Sequence, residues 1–293
     1  MNQTLVYLIL SLTGLCLGSF AGASVWRLRA RQLEEDKKAG ENFDQKEYSK
    51  LKKLNNKSIT QDHSQCLNCS YKLKWYDMIP VLSWVTLGGK CRKCRKPIGI
   101  NELLVEIFVA AFFVSSYIFW PFGLCGGGLE MLRFVIWLLA GVGLAILFIY
   151  DKKWSLLPDF VNFTVIGLGL TNAIIVIILS VNKLDTIYNI LGSILILSGL
   201  YYMLFVISKG RWIGFGDIKL GLGLGLLLSD WKLAFIALFA ANLIGCLVII
   251  PGMITHKLKR TSHVPFGPLL IIGTLIAMLF GQLLIDFYLY NII

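Results

Sequence analysis

The residues best equipped for chemistry in this sequence are four cysteines and a few carboxylates. Cys66-Leu67-Asn68-Cys69 and Cys91-Arg92-Lys93-Cys94 are two C-x-x-C pairs separated by 21 residues. Each pair offers two thiolates from one tight turn, and two such turns complete a closed tetrahedral Zn²⁺ site. Lys90, Arg92, Lys93 and Arg95 stand beside it to offset the double negative charge of a four-thiolate centre. Disulfides are the alternative, disfavoured if this segment is cytoplasmic. His63 could substitute as a ligand but reads as a solvated loop residue. Such a closed site is structural, holding together a polar domain too small for a core of its own. The other three cysteines, Cys16, Cys125 and Cys246, read as small buried side chains.

Carboxylates are scarce in the apolar part of the chain, so those at the ends of apolar runs stand out. Asp151 follows Ala145–Tyr150, and Asp217 closes Gly214-Phe215-Gly216-Asp217. Two apolar segments lie between them, so two crossings return the chain to the same membrane face and the two carboxylates can meet. Carboxyl groups that close share a proton, which provides a general base and a general acid together. Gly214 and Gly216 would let backbone or an extended substrate approach Asp217. Gly221 and Gly225 give a small-xxx-small face for tight packing around the site. Asp159, after Pro158, reads as a helix N-cap or first-turn charge. Glu102 has the same simple reading, whereas Glu106 lies one turn deeper. Asp185, Asp230 and Asp286 fall on the opposite side and read as solvated.

The elements that must position these groups are membrane helices. Apolar residues make up 56% of the 293 and charged residues 15%, with a mean hydropathy of +0.71. A water-soluble domain is nearer 45–50% apolar and about 25% charged, so a soluble globular enzyme and a disordered chain are both excluded. Stretches near 4–26, 103–120, 129–150, 160–180, 186–208, 214–229, 233–255 and 266–286 approach the roughly 20 apolar residues of a spanning helix. The sixth is short and glycine-rich. The first lacks the positive n-region of a cleaved signal peptide and reads as a retained span, despite Ala21-Gly22-Ala23.

Of the 28 Lys and Arg, 17 lie in residues 27–101. The positive-inside bias makes that loop cytoplasmic and the N-terminus external. Alternation through eight helices then puts Lys152, Lys153, Lys209, Arg211, Lys219, Lys257, Lys259 and Arg260 on the same side, leaving Lys183 and Lys232 outside. Arg133 lies within the third helix, near an outer end where it can snorkel. The net charge of +11 is thus topology and not a nucleic-acid footprint. Residues 34–60, rich in Lys and Glu, read as a solvated excursion without chemistry.

The expected fold is an all-α polytopic membrane protein of about eight transmembrane helices, with a small cytoplasmic zinc-binding domain between helices 1 and 2. Its parts are a first span (1–26), a basic domain with the four cysteines (27–101) and a helical membrane peptidase domain (102–293).

Several stretches, in order and across nearly the whole chain, resemble the prepilin peptidases, or type IV leader peptidases, which are GxGD-type membrane aspartic proteases. They are Gly18-Ser19-Phe20 with Arg27-Leu28, the two C-x-x-C pairs, Tyr76–Trp84, Gly89-Lys90-Cys91, Pro97-Ile98, Asp151 with Leu157-Pro158-Asp159, Gly214–Leu220 and Pro265-Phe266-Gly267-Pro268. The resemblance implies that Asp151 and Asp217 are the catalytic pair, supported by Asp159, Gly214, Gly216, Lys219 and Glu106. It implies a multi-pass protein of the bacterial cytoplasmic membrane that cleaves short basic leaders after a glycine, at the cytoplasmic face, from type 4 prepilin or pseudopilin substrates. It further implies N-methylation of the new terminus with S-adenosylmethionine, associated with the cysteine-bearing region. The sequence departs from the family pattern at Ala21-Gly22, where an Asn is usual, and at Asn101-Glu102-Leu103, which replaces Arg-Tyr-Pro. A presenilin-like intramembrane protease would also use Tyr150-Asp151 and G-x-G-D, but the cysteine loop and the Pro-Phe-Gly-Pro position argue against it. A transporter would place several ionisable groups deep in the spans and show an inverted repeat, and neither is visible here.

Overall fold

The computed structural model describes residues 3–55, 63–124, 127–255 and 265–292, and the side chains of these up to 288. Cys125, Lys257, Lys259, Arg260 and the stretch 56–60 of the basic excursion lie outside the described residues. The described chain is helical, with only two isolated β-bridges. It divides into two compact units, Met1–Ser115 and Ser116–Ile293.

The first unit begins with α1 (Gln3–Ala39), followed by α2 (Gln45–Asn55), α3 (Leu82–Thr86) and α4 (Ile100–Ile118). Helix α1 is 37 residues long, about 55 Å at 1.5 Å per residue, so it outruns a hydrocarbon core of about 30 Å. Its charged extension corrects the reading of 34–60 as a solvated excursion. Helix α2 folds back and buries Leu51 against Ala30 and Leu33, with Trp26, Phe43 and Tyr48 around them. Arg29 pairs with Glu47 at 2.8 Å, and Asp44 accepts from the N–H groups of Lys46 and Glu47 at the start of α2. The apolar residues here are too sparse to stand out in a charged sequence, yet they suffice for a small hairpin core.

The second unit contains α5 (Gly128–Trp154), α6 (Asp159–Leu179), α7 (Lys183–Ile194), a π-helical turn (Leu195–Gly199), α8 (Leu200–Ser208), α9 (Phe215–Leu228), α10 (Trp231–Ile254) and α11 (Gly267–Ile292). From α7 to α8 the chain is one span. Seven helices among the described residues are long and apolar enough to cross a membrane. The eighth expected span, α9, has only 14 residues, roughly 21 Å. It is largely buried inside the unit, and its last carbonyls, at the buried Leu226 and Leu227, need donors there. Asn172 of α6 meets that demand, donating to the carbonyls of Leu226 and Leu227. Arg133 in turn donates to Asn172 at 3.2 Å and lies over the Phe122 ring at 4.1 Å. Arg133 is therefore buried at a helix C-terminus, where a cation is favourable, and does not snorkel.

Gly221 and Gly225 pack as the small-xxx-small spacing suggests. A Cβ at Gly221 would lie 2.1 Å from the Leu197 carbonyl oxygen, and one at Gly225 3.1 Å from the Ile194 Cα. Ser193 and Ser198 add hydrogen bonds to the carbonyls of Gly225 and Ile218 across the same contact. Cys16 and Cys246 are exposed, correcting the expectation of buried thiols. Each lies on a membrane-spanning helix, where an outward side chain meets lipid and needs no protein to cover it.

Candidate functional site

The two C-x-x-C pairs form two copies of the same turn. In the first, the Cys66 N–H donates to Tyr71 and the Cys66 carbonyl accepts from Ser70. In the second, the Cys91 N–H donates to Lys96 and the Cys91 carbonyl accepts from Arg95. Ser70 and Arg95, each following the second cysteine of its pair, both have positive φ, and each turn is closed by a bridge, Gln65 with Lys72 and Lys90 with Pro97. The four Sγ atoms lie within 4.8 Å of one another, with Cys66–Cys94 and Cys69–Cys91 at 3.9 Å. A tetrahedron with metal–sulfur bonds of about 2.3 Å has sulfur–sulfur edges of roughly 3.8 Å, so the group could hold a metal ion. Burial pushes the Cys66 thiol up to about 12. Burial acts on Cys91 as well, but the N–H groups of Cys94 and Lys93 and the neighbouring thiols outweigh it and draw Cys91 down to about 7.

Near the second turn, the buried Asp77 carboxylate accepts from Arg92 at 2.8 Å and from the Lys74 N–H at 3.2 Å. Arg92 also stacks on Tyr76 at 5.0 Å. Glu106, in the same unit, accepts from the Val81 N–H at 2.7 Å. Glu102 lies in the first turn of α4, as expected, and accepts from the Trp26 indole at 3.2 Å.

In the second unit, Asp151 sits in the last turn of α5 and is 5% exposed. That turn ends at Ser155, whose N–H donates to the Asp151 carbonyl at 2.8 Å. The carboxylate accepts from the Gly267 N–H at 3.1 Å. Gly267 begins α11, so an unpaired helix N-terminal donor and the positive end of the dipole face the acid. A Cβ at Gly267 would lie 2.6 Å from Asp151 Oδ2, so only glycine lets this N–H approach. Asp217 is in the first turn of α9, whose N-cap is Gly214. Gly216 packs on Leu157, where a Cβ would come within 3.1 Å. The same test leaves ordinary room at Gly214, 3.5 Å from Asp217 Oδ2. Asp217 is close enough that its charge bears on both Asp151 and Tyr201.

Lys219 pairs with Asp159 at 2.6 Å, joining the starts of α6 and α9. Its ammonium also lies over the rings of Phe215 and Phe163. Asp159 starts α6 and serves this clamp. Glu106 belongs to the first unit and Asp159 to the clamp; in the second unit Gly267 donates to Asp151, on which the charge of Asp217 bears.

Two buried polar side chains of the second unit were not singled out from sequence. Asn162 is 1% exposed, with no hydrogen-bond partner for either amide atom among the described residues. Tyr201 is 4% exposed and its hydroxyl likewise has none. A single polar residue in an apolar helix gives no sequence signal for either. Gly267 was noted only within the Pro265-Phe266-Gly267-Pro268 match, without a role of its own.

A model of the bacterial peptidase A24 N-terminal domain matches residues 12–120. The prepilin leader peptidase/N-methyltransferase of Pseudomonas aeruginosa is 28% identical over 284 residues, 95% of this chain and 91% of that protein. The protein of the same name from Aeromonas hydrophila is 30% identical over 229 residues, 78% and 75% of the two chains. A type 4 prepilin-like proteins leader peptide-processing enzyme of Escherichia coli is 28% identical over 263 residues, 89% and 88%. No solved structure matches. With these similarities extending across both units, the chain belongs to the prepilin leader peptidase/N-methyltransferase family.

Proposed function

We propose that this protein is an aspartic endopeptidase of the bacterial cytoplasmic membrane. It removes the basic leader of type 4 prepilin-like proteins after a glycine and then takes part in N-methylation of the new terminus. What supports the reading is that Asp151 and Asp217, 66 positions apart in sequence, lie close enough for the charge of one to bear on the other, with Gly267 donating to Asp151. One carboxylate takes a proton from water as its oxygen attacks the scissile carbonyl carbon, and the other gives its proton to the carbonyl oxygen. The resulting gem-diol then collapses. The C–N bond breaks, and a proton returns through the acids to the leaving amine. The Lys/Arg bias supports a site facing the cytoplasm, with the segment before α1 outside.

The four cysteines fit structural Zn²⁺, which would fix the two turns of the first unit to each other. For the methyl donor, the same unit carries Glu102 and Glu106 one turn apart on α4, carboxylates whose charge would suit a sulfonium. One Glu102 oxygen is buried without a hydrogen-bond partner among the described residues. S-adenosylmethionine, when bound, supplies the methyl group.

Mass spectrometry of a co-expressed prepilin tests the reading. The unaltered enzyme gives a product that begins after the leader glycine and carries one added methyl. Asp151→Asn and Asp217→Asn each leave the leader attached while the protein still inserts. Cleavage retained in both variants would overturn the aspartic mechanism.

A further inference from the structure

We propose that Tyr201 is a third catalytic side chain of the peptidase site, its hydroxyl holding the attacking water against Asp217. The inference rests on the aspartic-peptidase reading and goes beyond it.

A π-helical turn, Leu195–Gly199, interrupts the span just before Tyr201. It inserts one extra residue per turn and rotates everything after it by roughly 100° relative to a continuous α-helix. Above the π turn, Ile194 packs on Gly225. Within it, Ser198 donates to the Ile218 carbonyl at 3.0 Å, next in sequence to Asp217. The next turn therefore arrives at the level of Asp217 with Tyr201 turned inward. Tyr201 is 4% exposed and its neighbour Tyr202 is 55% exposed. The Tyr201 ring packs on Phe266 at 5.3 Å, and the next residue, Gly267, holds Asp151. One aromatic contact thus ties Tyr201 to the segment that positions the first acid, while the charge of the second acid bears on its hydroxyl.

A tyrosine hydroxyl buried without a partner keeps the full cost of its desolvation, so its retention calls for something that it binds. Two other donors are committed elsewhere, Gly267 N–H to Asp151 and Lys219 to Asp159. Between a hydroxyl donor and a carboxylate acceptor, the small group that satisfies both accepts from one and donates to the other. Water does this. Its oxygen takes the Tyr201 hydrogen bond and one of its protons points at Asp217, the geometry from which that proton leaves as the oxygen attacks. No proton is lost from Tyr201 in this step.

Tyr201→Phe keeps the ring on Phe266 and removes only the hydroxyl. With the full chain in detergent and a synthetic peptide spanning a basic leader and its glycine junction, kcat should fall on the order of 10–100-fold, with KM within about twofold and thermal stability unchanged. A kcat within threefold of wild type overturns the inference. Should this variant fail to accumulate, 3,5-difluorotyrosine at 201 preserves shape but ionises more readily. Its kcat should decline toward alkaline pH where the wild type does not, and superimposable profiles overturn the inference. Asp151→Asn and Asp217→Asn assayed alongside separate the two ideas. If they remain active, the aspartic reading itself fails. If they are inactive and Tyr201→Phe is fully active, only the role of Tyr201 fails.

Discussion

The two units are ordered by different means. In the first, the membrane windows of α1 and α4 are only 22% and 17% buried, whereas those in the second run from 28% for α10 to 61% for α5. Lipid tails are as apolar as leucine, so hydrophobicity gives membrane helices no reason to associate. Close backbone approach and polar contacts do. The second unit has both in quantity: Gly221 on the Leu197 carbonyl, the serines at 193 and 198, and the Asn172–Arg133 network at the end of α9. The first unit relies on a few point anchors: the four-cysteine cluster, Asp77 with Arg92, and Glu106 with Val81. The proposed pairing of two acids calls for the closely packed scaffold of the second unit. A polar domain between two sparsely covered spans needs point anchors.

The largest test of this contrast removes the strongest point anchor. Metal affinity in closed thiolate sites represents about 10–16 kcal/mol that is also folding energy. Cys66→Ser should lower zinc content well below roughly one ion per chain, and limited proteolysis should then cut rapidly within residues 63–99. The second unit, which owes nothing to those thiolates, should still cleave a leader peptide. An unchanged proteolytic pattern at reduced zinc content would remove the cluster from the account of how the first unit is ordered.

The reciprocal test is Gly221→Ala. Its Cβ would sit 2.1 Å from a backbone oxygen, and backbone cannot rotate aside as a side chain can. Overpacking of this kind costs about 3 kcal/mol or more, a Tm loss of roughly 6–12 °C for a unit of this size. Leader cleavage should collapse while zinc content and protection of 63–99 persist. Equal loss in both units would show that they do not fold by separate means.

How much of this was legible in the sequence follows the same division. The cysteine turns could be read because C-x-x-C encodes its own geometry locally, down to the repeated positive-φ residue after each pair. The aspartates stood out because charge at the end of an apolar run is rare, and two candidate spans lie between them. Tyr201 could not be read: what turns it inward is a π turn, and the Ser198-Gly199 pair inside Leu195–Gly199 does not by itself specify one. Arg133 was misread because its partner, Asn172, is 39 residues away and the need it answers, the early end of α9, arises only in three dimensions. The α1–α2 hairpin was missed because its core consists of a few apolar side chains among many charges.

The smallest effect probes a strained anchor in the first unit. Val81 has φ +62° and ψ −54°, and the Leu82 N–H reaches back to the Pro80 carbonyl at 2.6 Å. This is the rare positive-φ γ-turn, and a β-branched residue is badly suited to it. Such strain is worth about 1–3 kcal/mol and persists here because the Val81 N–H is fixed by the Glu106 carboxylate, a charge-assisted bond. Val81→Gly removes the clash and keeps the N–H. It also frees the unfolded chain, which takes back about 0.4–1 kcal/mol, so the net gain should be on the order of 1 kcal/mol. Thermal unfolding followed by protease protection of the first unit should shift upward by a few degrees, with leader cleavage unchanged. A downward shift would mean that the Val81 side chain contributes more by packing than its backbone loses by strain, and that Glu106 holds a relaxed turn.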